Sequence, residues 1–157
     1  MPQESQSPEE KKSEPVLSEE KPQPKKRGRK SNAQKAAEAA YTGSQQCIAD
    51  MREAFERRRN LVLDMLKDIP GLQVNEPKGA FYVFPKCSSF FGKTAPNGKV
   101  IADAADLAMY LLEEGHVACV GGGAFGSPEC IRMSYATSDE NLVKAFGRIK
   151  EALANLK

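Results

Sequence analysis

The chain has 157 residues, 40% of them apolar and 28% charged, with a net charge of +2, which is room for about one ordinary globular domain. No apolar run approaches the roughly 20 residues that cross a bilayer, and the first residues lack the apolar centre of a secretion signal. A membrane partner is therefore excluded, and a cytoplasmic location, or alternatively a nuclear one, is expected.

Residues 1–30 hold eight Lys or Arg, six Glu and five of the ten prolines, and no aromatic residue. Such a stretch cannot bury enough apolar surface to offset the entropy of ordering it, so a disordered tail is expected over 1–30. It ends in a compact basic block, Lys25, Lys26, Arg27, Gly28, Arg29 and Lys30. The Arg-Gly-Arg centre resembles an AT-hook, a segment that lies in the minor groove of A·T-rich DNA, but Lys30 stands where AT-hooks have proline. Six residues of this kind serve DNA phosphate contact, nuclear import or a plain solvated tail equally well.

Residues 31–157 carry every Phe and Tyr and form the second expected region. Ala33 to Tyr41 is rich in helix formers and stops at Thr42-Gly43. A longer helix follows, in which Ile48, Met51, Phe55, Val62 and Leu66 share a face, interrupted by Arg57, Arg58 and Arg59 and closed by Pro70-Gly71. Leu72 to Val74 and Ala80 to Phe84 read as strands, the second closed by Pro85. Residues 86–100 read as a loop turning at Ala95-Pro96-Asn97-Gly98. Ile101 to Glu114 is helical by spacing, with Leu107, Leu111 and Leu112 on one face and Gly115 expected in the left-handed cap conformation. Val117 to Val120 and Ile131 to Tyr135 read as buried strands. The last helix opens on a Thr137/Glu140 capping box, with Leu142, Phe146, Ile149, Leu153 and Leu156 spaced by four and three. This order predicts a two-layer α/β domain, a small mixed sheet with helices packed on one face.

Several motifs lose their function in context. Gly121, Gly123 and Gly126 match Gly-x-Gly-x-x-Gly, but a dinucleotide loop must open a helix, and here a strand follows within a few residues. The glycines are expected to form an irregular loop that comes near a ligand or another chain. Phe91-Gly92-Lys93-Thr94 ends like a phosphate loop, yet its first glycine would fall at Cys87. His116 is the sole histidine and is expected in a helix-end or core role. Cys47, Cys87, Cys119 and Cys130 are too scattered for a zinc site or a disulfide framework and are expected to be free and buried. No metal site is expected.

Arg132 stands out because it sits in a strand otherwise built for burial. An unpaired guanidinium is costly to desolvate, so it needs an anion, and its planar fork matches a carboxylate. A small organic acid is one candidate; a glutamate of the same domain is the other.

Taken together, Gln34-Lys35-Ala36-Ala37, Lys78-Gly79-Ala80-Phe81-Tyr82-Val83-Phe84-Pro85, Phe125-Gly126, Ile131-Arg132-Met133-Ser134-Tyr135-Ala136 and Ser138-x-Glu140-x-Leu142 resemble, in order and spacing, the C-terminal part of class I pyridoxal-phosphate aminotransferases of the aspartate aminotransferase type. The resemblance covers about residues 32–157. It implies the small domain of a fold-type I enzyme, with Arg132 binding the α-carboxylate of an amino acid or 2-oxo acid and Phe81 near the substrate at the active-site mouth. The family has Pro-Gly where this chain has Gly121-Gly122-Gly123.

The resemblance also implies pyridoxal phosphate as cofactor, held by a Schiff-base lysine in a Ser-x-Ser-Lys-like segment and by a Gly-x-Arg phosphate contact. Lys35, Lys78, Lys86 and Lys93 lack those neighbours. The expectation is a truncated or recombinant aminotransferase portion, joined at about Lys30-Ser31 to an unrelated tail, with no catalytic residue of its own and inactive alone. Its exposed surface would favour a large-domain or homo-oligomer partner. The alternative expectation is a non-catalytic DNA-associated or nuclear interaction protein using Lys25 to Lys30.

Overall fold

The computed structural model describes residues 31–157, which fall into two units, one ending at Thr42 and the other running from Gly43 to Lys157. In the first, helix α1 spans Asn32–Thr42 and every residue of it is exposed. It opens on a reciprocal cap. The Ser31 hydroxyl accepts from the Gln34 amide at 3.2 Å, and the Gln34 side chain accepts from the Ser31 amide at 2.9 Å. Two of the otherwise orphaned donors are thereby satisfied.

The second unit contains α2 (Gln46–Lys67), β1 (Tyr82–Val83), a 3₁₀ turn at Ser88–Phe90, α3 (Ala104–Glu113), β2 (Val120–Gly121), a 3₁₀ turn at Gly122–Phe125, β3 (Ile131–Ser134) and α4 (Asp139–Ala154). The three strands pair in the order β1-β3-β2, so β3 is central. Tyr82 faces Ser134 and Val83 faces Met133; on the other edge Val120 faces Arg132 and Gly121 faces Ile131. Both pairings are antiparallel, which makes the expected mixed sheet antiparallel throughout the described strands. The β2–β3 link is too short for the crossover that parallel strands need.

Along β3 the burial alternates: Ile131 and Met133 are buried, Arg132 is half-buried and Ser134 is exposed. The buried face joins one core with Val62 and Leu66 of α2, Leu107 and Leu111 of α3, and Leu142, Phe146, Ile149 and Leu153 of α4. The Tyr110 hydroxyl donates to the Ala152 carbonyl at 2.8 Å and fastens α3 to α4. The helices thus cover one face, as their apolar spacing requires, and leave the Arg132 face free of them.

Local chemistry moves several expected features. α4 is capped by Ser138, whose hydroxyl accepts from the Asn141 amide at 3.3 Å, and the Thr137 hydroxyl instead accepts from the Asn141 side chain at 3.2 Å. Ser138 has the extended backbone an N-cap requires, so the helix is capped one residue later than the sequence pattern implied, by a single side-chain bond in place of the reciprocal box. At the end of α3 it is His116, not Gly115, that takes the left-handed conformation, at φ 52°. Gly115 is needed for space, because a Cβ there would lie 2.8 Å from the Leu111 carbonyl oxygen. The Val117 amide donates to that same oxygen at 3.0 Å. This ties Val117 to the helix end, and Val120 and Gly121 alone of 117–121 pair as strand. Leu112, Ile48 and Met51, expected on buried faces, are exposed. Residues 72–74 contribute only a bridge from Gln73 to Lys86, and the turn at Ala95 to Gly98 forms as expected, closed by Gly98 N donating to Ala95 O at 2.9 Å.

Candidate functional site

The outward face of β3 carries Arg132, and the strand's neighbours decide what surrounds it. Register continues past β1, because the Ile131 amide donates to the Pro85 carbonyl at 3.0 Å. Tyr82 and Phe84 therefore share the outward face with Arg132, while Val83 points into the core. The Arg132 guanidinium carbon lies 5.5 Å from the Tyr82 ring centroid and 4.5 Å from that of Phe125. Phe84 meets Phe125 edge to face, with centroids 6.2 Å apart and planes at 89°.

Phe125 is delivered by the turn between β2 and β3. Gly122 is buried there, and a Cβ on it would sit on the carbonyl oxygens of Ser127 and Cys130 and 2.9 Å from Phe84 Cζ. The Gly122 amide donates to Cys130 O at 2.7 Å and the Ser127 amide to Gly122 O at 3.1 Å. Gly126 closes the turn at φ 77°, a conformation that costs a side-chain-bearing residue about 1–2 kcal/mol. Gly122 to Gly126 thus make a regular turn folded on its own chain, in place of the irregular loop expected. A strand follows it instead of a helix, in keeping with the rejection of a dinucleotide site.

Among the described residues no Asp or Glu pairs with Arg132; its contacts are the two aromatic rings. Three other arginines of this unit are engaged differently. Arg57 and Arg58 both pair with Asp139 in the first turn of α4, Arg58 at 3.3 Å. Arg59 reaches Glu56 at 3.6 Å, Glu76 at 3.8 Å and the Pro77 carbonyl at 3.3 Å.

Phe81 lies beside this cluster. Its ring is 52% exposed and meets Tyr82 edge-on at 5.7 Å, but Tyr82, not Phe81, is the ring against Arg132. Phe81 faces a hollow of about 490 Å³, bordered also by Phe55, Arg59, Lys78 and Tyr135. At its lip Ala80 holds φ 66°, and the Tyr135 hydroxyl donates to the Ala80 carbonyl at 3.0 Å. Burial pushes the Tyr135 phenol up from its ordinary value. A non-glycine residue held left-handed is a strained position that its surroundings must enforce.

The remaining sequence candidates are quickly placed. Lys25, Lys26, Arg27, Gly28, Arg29 and Lys30 lie outside the described residues. His116 is exposed at a helix end. The four cysteines are free, but only Cys87 is buried and Cys47 is exposed. Burial pushes the Cys87 thiol up to about 12 and the Cys119 thiol to about 11, which suits neither to nucleophilic work. No group of side chains able to hold a metal occurs among the described residues, and no described helix is long and apolar enough to cross a membrane.

Sequence reading singled out Arg132 but missed Tyr82, Phe84 and Phe125 as its surroundings. The period-two alternation of Tyr82-Val83-Phe84 was the available signal for the first two.

Residues 28–149 match the family described as Aminotransferase class I and II. The chain is 46% identical over 119 residues to an aspartate aminotransferase of Streptomyces avermitilis, covering 76% of this chain and 29% of that protein. It is 47% identical over 123 residues to a probable aspartate/prephenate aminotransferase of Rhizobium leguminosarum, covering 78% and 31%. The crystal structure of the aspartate aminotransferase from Rhizobium meliloti superposes with a TM-score of 0.76 at 43% identity, over 80% of this chain and 31% of that one. The chain thus spans about three tenths of the length of the curated relatives it matches.

Proposed function

We propose that this chain, which belongs to the class I and II aminotransferase family, supplies the part of a pyridoxal-phosphate-dependent aminotransferase that grips the carboxylate of an amino acid or its 2-oxo acid partner. Arg132 is the anchor. The observation that carries this reading is a half-buried guanidinium flanked by two aromatic rings and paired with no carboxylate of the described residues. Rings soften its desolvation but leave its N–H edges unspent. A planar two-oxygen anion satisfies two of those edges at once, and each charge-assisted bond contributes about 1.5–3 kcal/mol.

Phe81 borders the substrate in this reading. Its exposed ring abuts Tyr82, the residue that in turn touches Arg132. The relatives' names direct the substrate class toward aspartate and prephenate, both of which carry two carboxylates.

The cofactor would accept the amino group from one acid and return it to another. The described residues do not fit its covalent seat. Lys67, Lys86 and Lys99 are bonded to carboxylates at 2.7, 3.1 and 3.0 Å, and no lysine is among the fully buried residues. The described residues on their own bind the acid and do not transfer its amino group; transfer needs the portion of the relatives that the chain does not span.

Succinate is a non-reacting probe of the right class. In ¹⁵N-labelled protein the backbone amide resonances of β3, Ile131 to Ser134, should shift saturably with succinate. Arg132→Lys, which loses the fork, should weaken the response about tenfold, and Arg132→Ala should abolish it. An unchanged response in Arg132→Ala overturns the reading. Separately, reduction with borohydride after mixing with pyridoxal phosphate should leave no single lysine labelled stoichiometrically; one lysine fully labelled would overturn the statement that the chain is inactive alone.

A further inference from the structure

We infer that Phe125 is a positioning residue for Arg132: braced by Phe84 across the Gly122 turn, it works with Tyr82 to fix the plane of the guanidinium before a carboxylate arrives. The inference rests on the carboxylate role proposed for Arg132 and concerns how that role is made effective.

An arginine side chain is rich in rotamers, and a free guanidinium on a strand surface must be ordered when an anion binds. Ordering it in advance removes that cost from the binding step. Three features here do so. The rings come from different neighbours, Tyr82 from β1 on one edge of β3 and Phe125 from the turn that follows β2 on the other. Phe125 is the closer, at 4.5 Å, within the range in which a cation is attracted to a ring face. Phe125 is itself held, because Phe84 meets it at 89° with centroids 6.2 Å apart.

The sequence encodes the brace. Phe84 Cζ would lie 2.9 Å from a Cβ on Gly122, so the Phe84 ring fits against the turn only because that residue has none. The same turn ends at Phe125 and is stopped by the left-handed Gly126. Gly122, Phe84, Phe125 and Arg132 therefore form one packed series, running from a missing side chain to an oriented cation. Phe125 nonetheless remains half exposed, at 50%. A ring present only to fill the core would be covered.

The test compares Phe125→Leu, which keeps an apolar side chain but removes the π face, with Phe125→Tyr, which restores the face. Two readouts are taken on the ¹⁵N-labelled full chain: relaxation of the Arg132 Nε–H group without ligand, and succinate affinity. Phe125→Leu should make the Arg132 side chain measurably more mobile and weaken succinate about two- to fivefold. Phe125→Tyr should return both to the parent values. A structural role alone would move the thermal midpoint without this leucine–tyrosine contrast. Unchanged Arg132 relaxation in Phe125→Leu overturns the inference, as does equal loss in both variants. Because relaxation is read without ligand, failure of the carboxylate role, seen as Arg132→Ala without effect on the succinate response, is told apart from failure of the clamp.

Discussion

Adding one methyl group at Gly122 tests the architecture of the site more directly than removing any of its rings. The Cβ of Gly122→Ala would meet the carbonyl oxygens of Ser127 and Cys130 and approach Phe84 Cζ to 2.9 Å. Two of these three atoms are backbone, held by the bonds from the Gly122 and Cys130 amides, so neither can swing aside cheaply. Overpacking of this kind costs about 1–3 kcal/mol, and with three collisions the upper end applies. Gly123→Ala, one residue along in the same turn, meets nothing within 4 Å. Both substitutions reduce the entropy of the unfolded chain equally, so that gain cancels in the difference between them. Gly126→Ala falls between, carrying about 1 kcal/mol of left-handed strain without a collision.

Urea unfolding followed by circular dichroism should rank the variants Gly122→Ala, Gly126→Ala, Gly123→Ala from least to most stable. The first and last should be separated by about 3 kcal/mol, or ~10 °C in midpoint for a domain of this size. Gly122→Ala should also weaken succinate, because Phe84 and Phe125 are displaced together. A gap below about 1 kcal/mol between the Gly122 and Gly123 variants would mean that the turn yields easily. The account of how Phe125 is held would then be wrong.

Two further outcomes follow from the same structure. Ser138→Ala should cost about 1 kcal/mol of stability and Thr137→Ala markedly less, since Ser138 caps the α4 backbone and Thr137 receives only a side chain; equal costs in urea unfolding would restore the box read from the sequence. Alkaline pH should destabilise the fold through Cys87, whose thiol titrates near 9.0 when exposed but only at about 12 when folded. The folded state thus keeps a proton that the unfolded state sheds, so this contribution is complete below about pH 9 and is lost as pH climbs toward 12. Cys87→Val should flatten that decline, and in the parent a thiol reagent at pH 8 should modify the exposed Cys47 well ahead of Cys87.

How far the chain could be read in advance depended on whether a feature is carried by local repetition or by contact between distant segments. The spacing of Leu142, Phe146, Ile149 and Leu153 repeats a helical period, and all four are buried as that period demands. Ile48 and Met51 repeat the same period yet lie exposed, because periodicity names a face and not what covers it. The strands were found in kind but overextended. Val117 to Cys119 have strand composition, yet Val117 is tied to the end of α3 by a bond that no propensity records.

The site divides in the same way. Arg132 was legible because a charge in an apolar strand is an anomaly within a few residues. Its environment was not, since Tyr82 and Phe125 are separated from it by 50 and 7 positions and are brought together only by the register of β1 on β3 and by the turn after β2. Phe81, expected near the substrate from resemblance, precedes β1 and meets Tyr82 edge-on, while Tyr82 is the ring against Arg132. One residue of difference in register decides which ring meets the guanidinium. The functional content of this domain therefore resides less in Arg132, which any strand could carry, than in the pairing that gives it aromatic neighbours while leaving its N–H edges free.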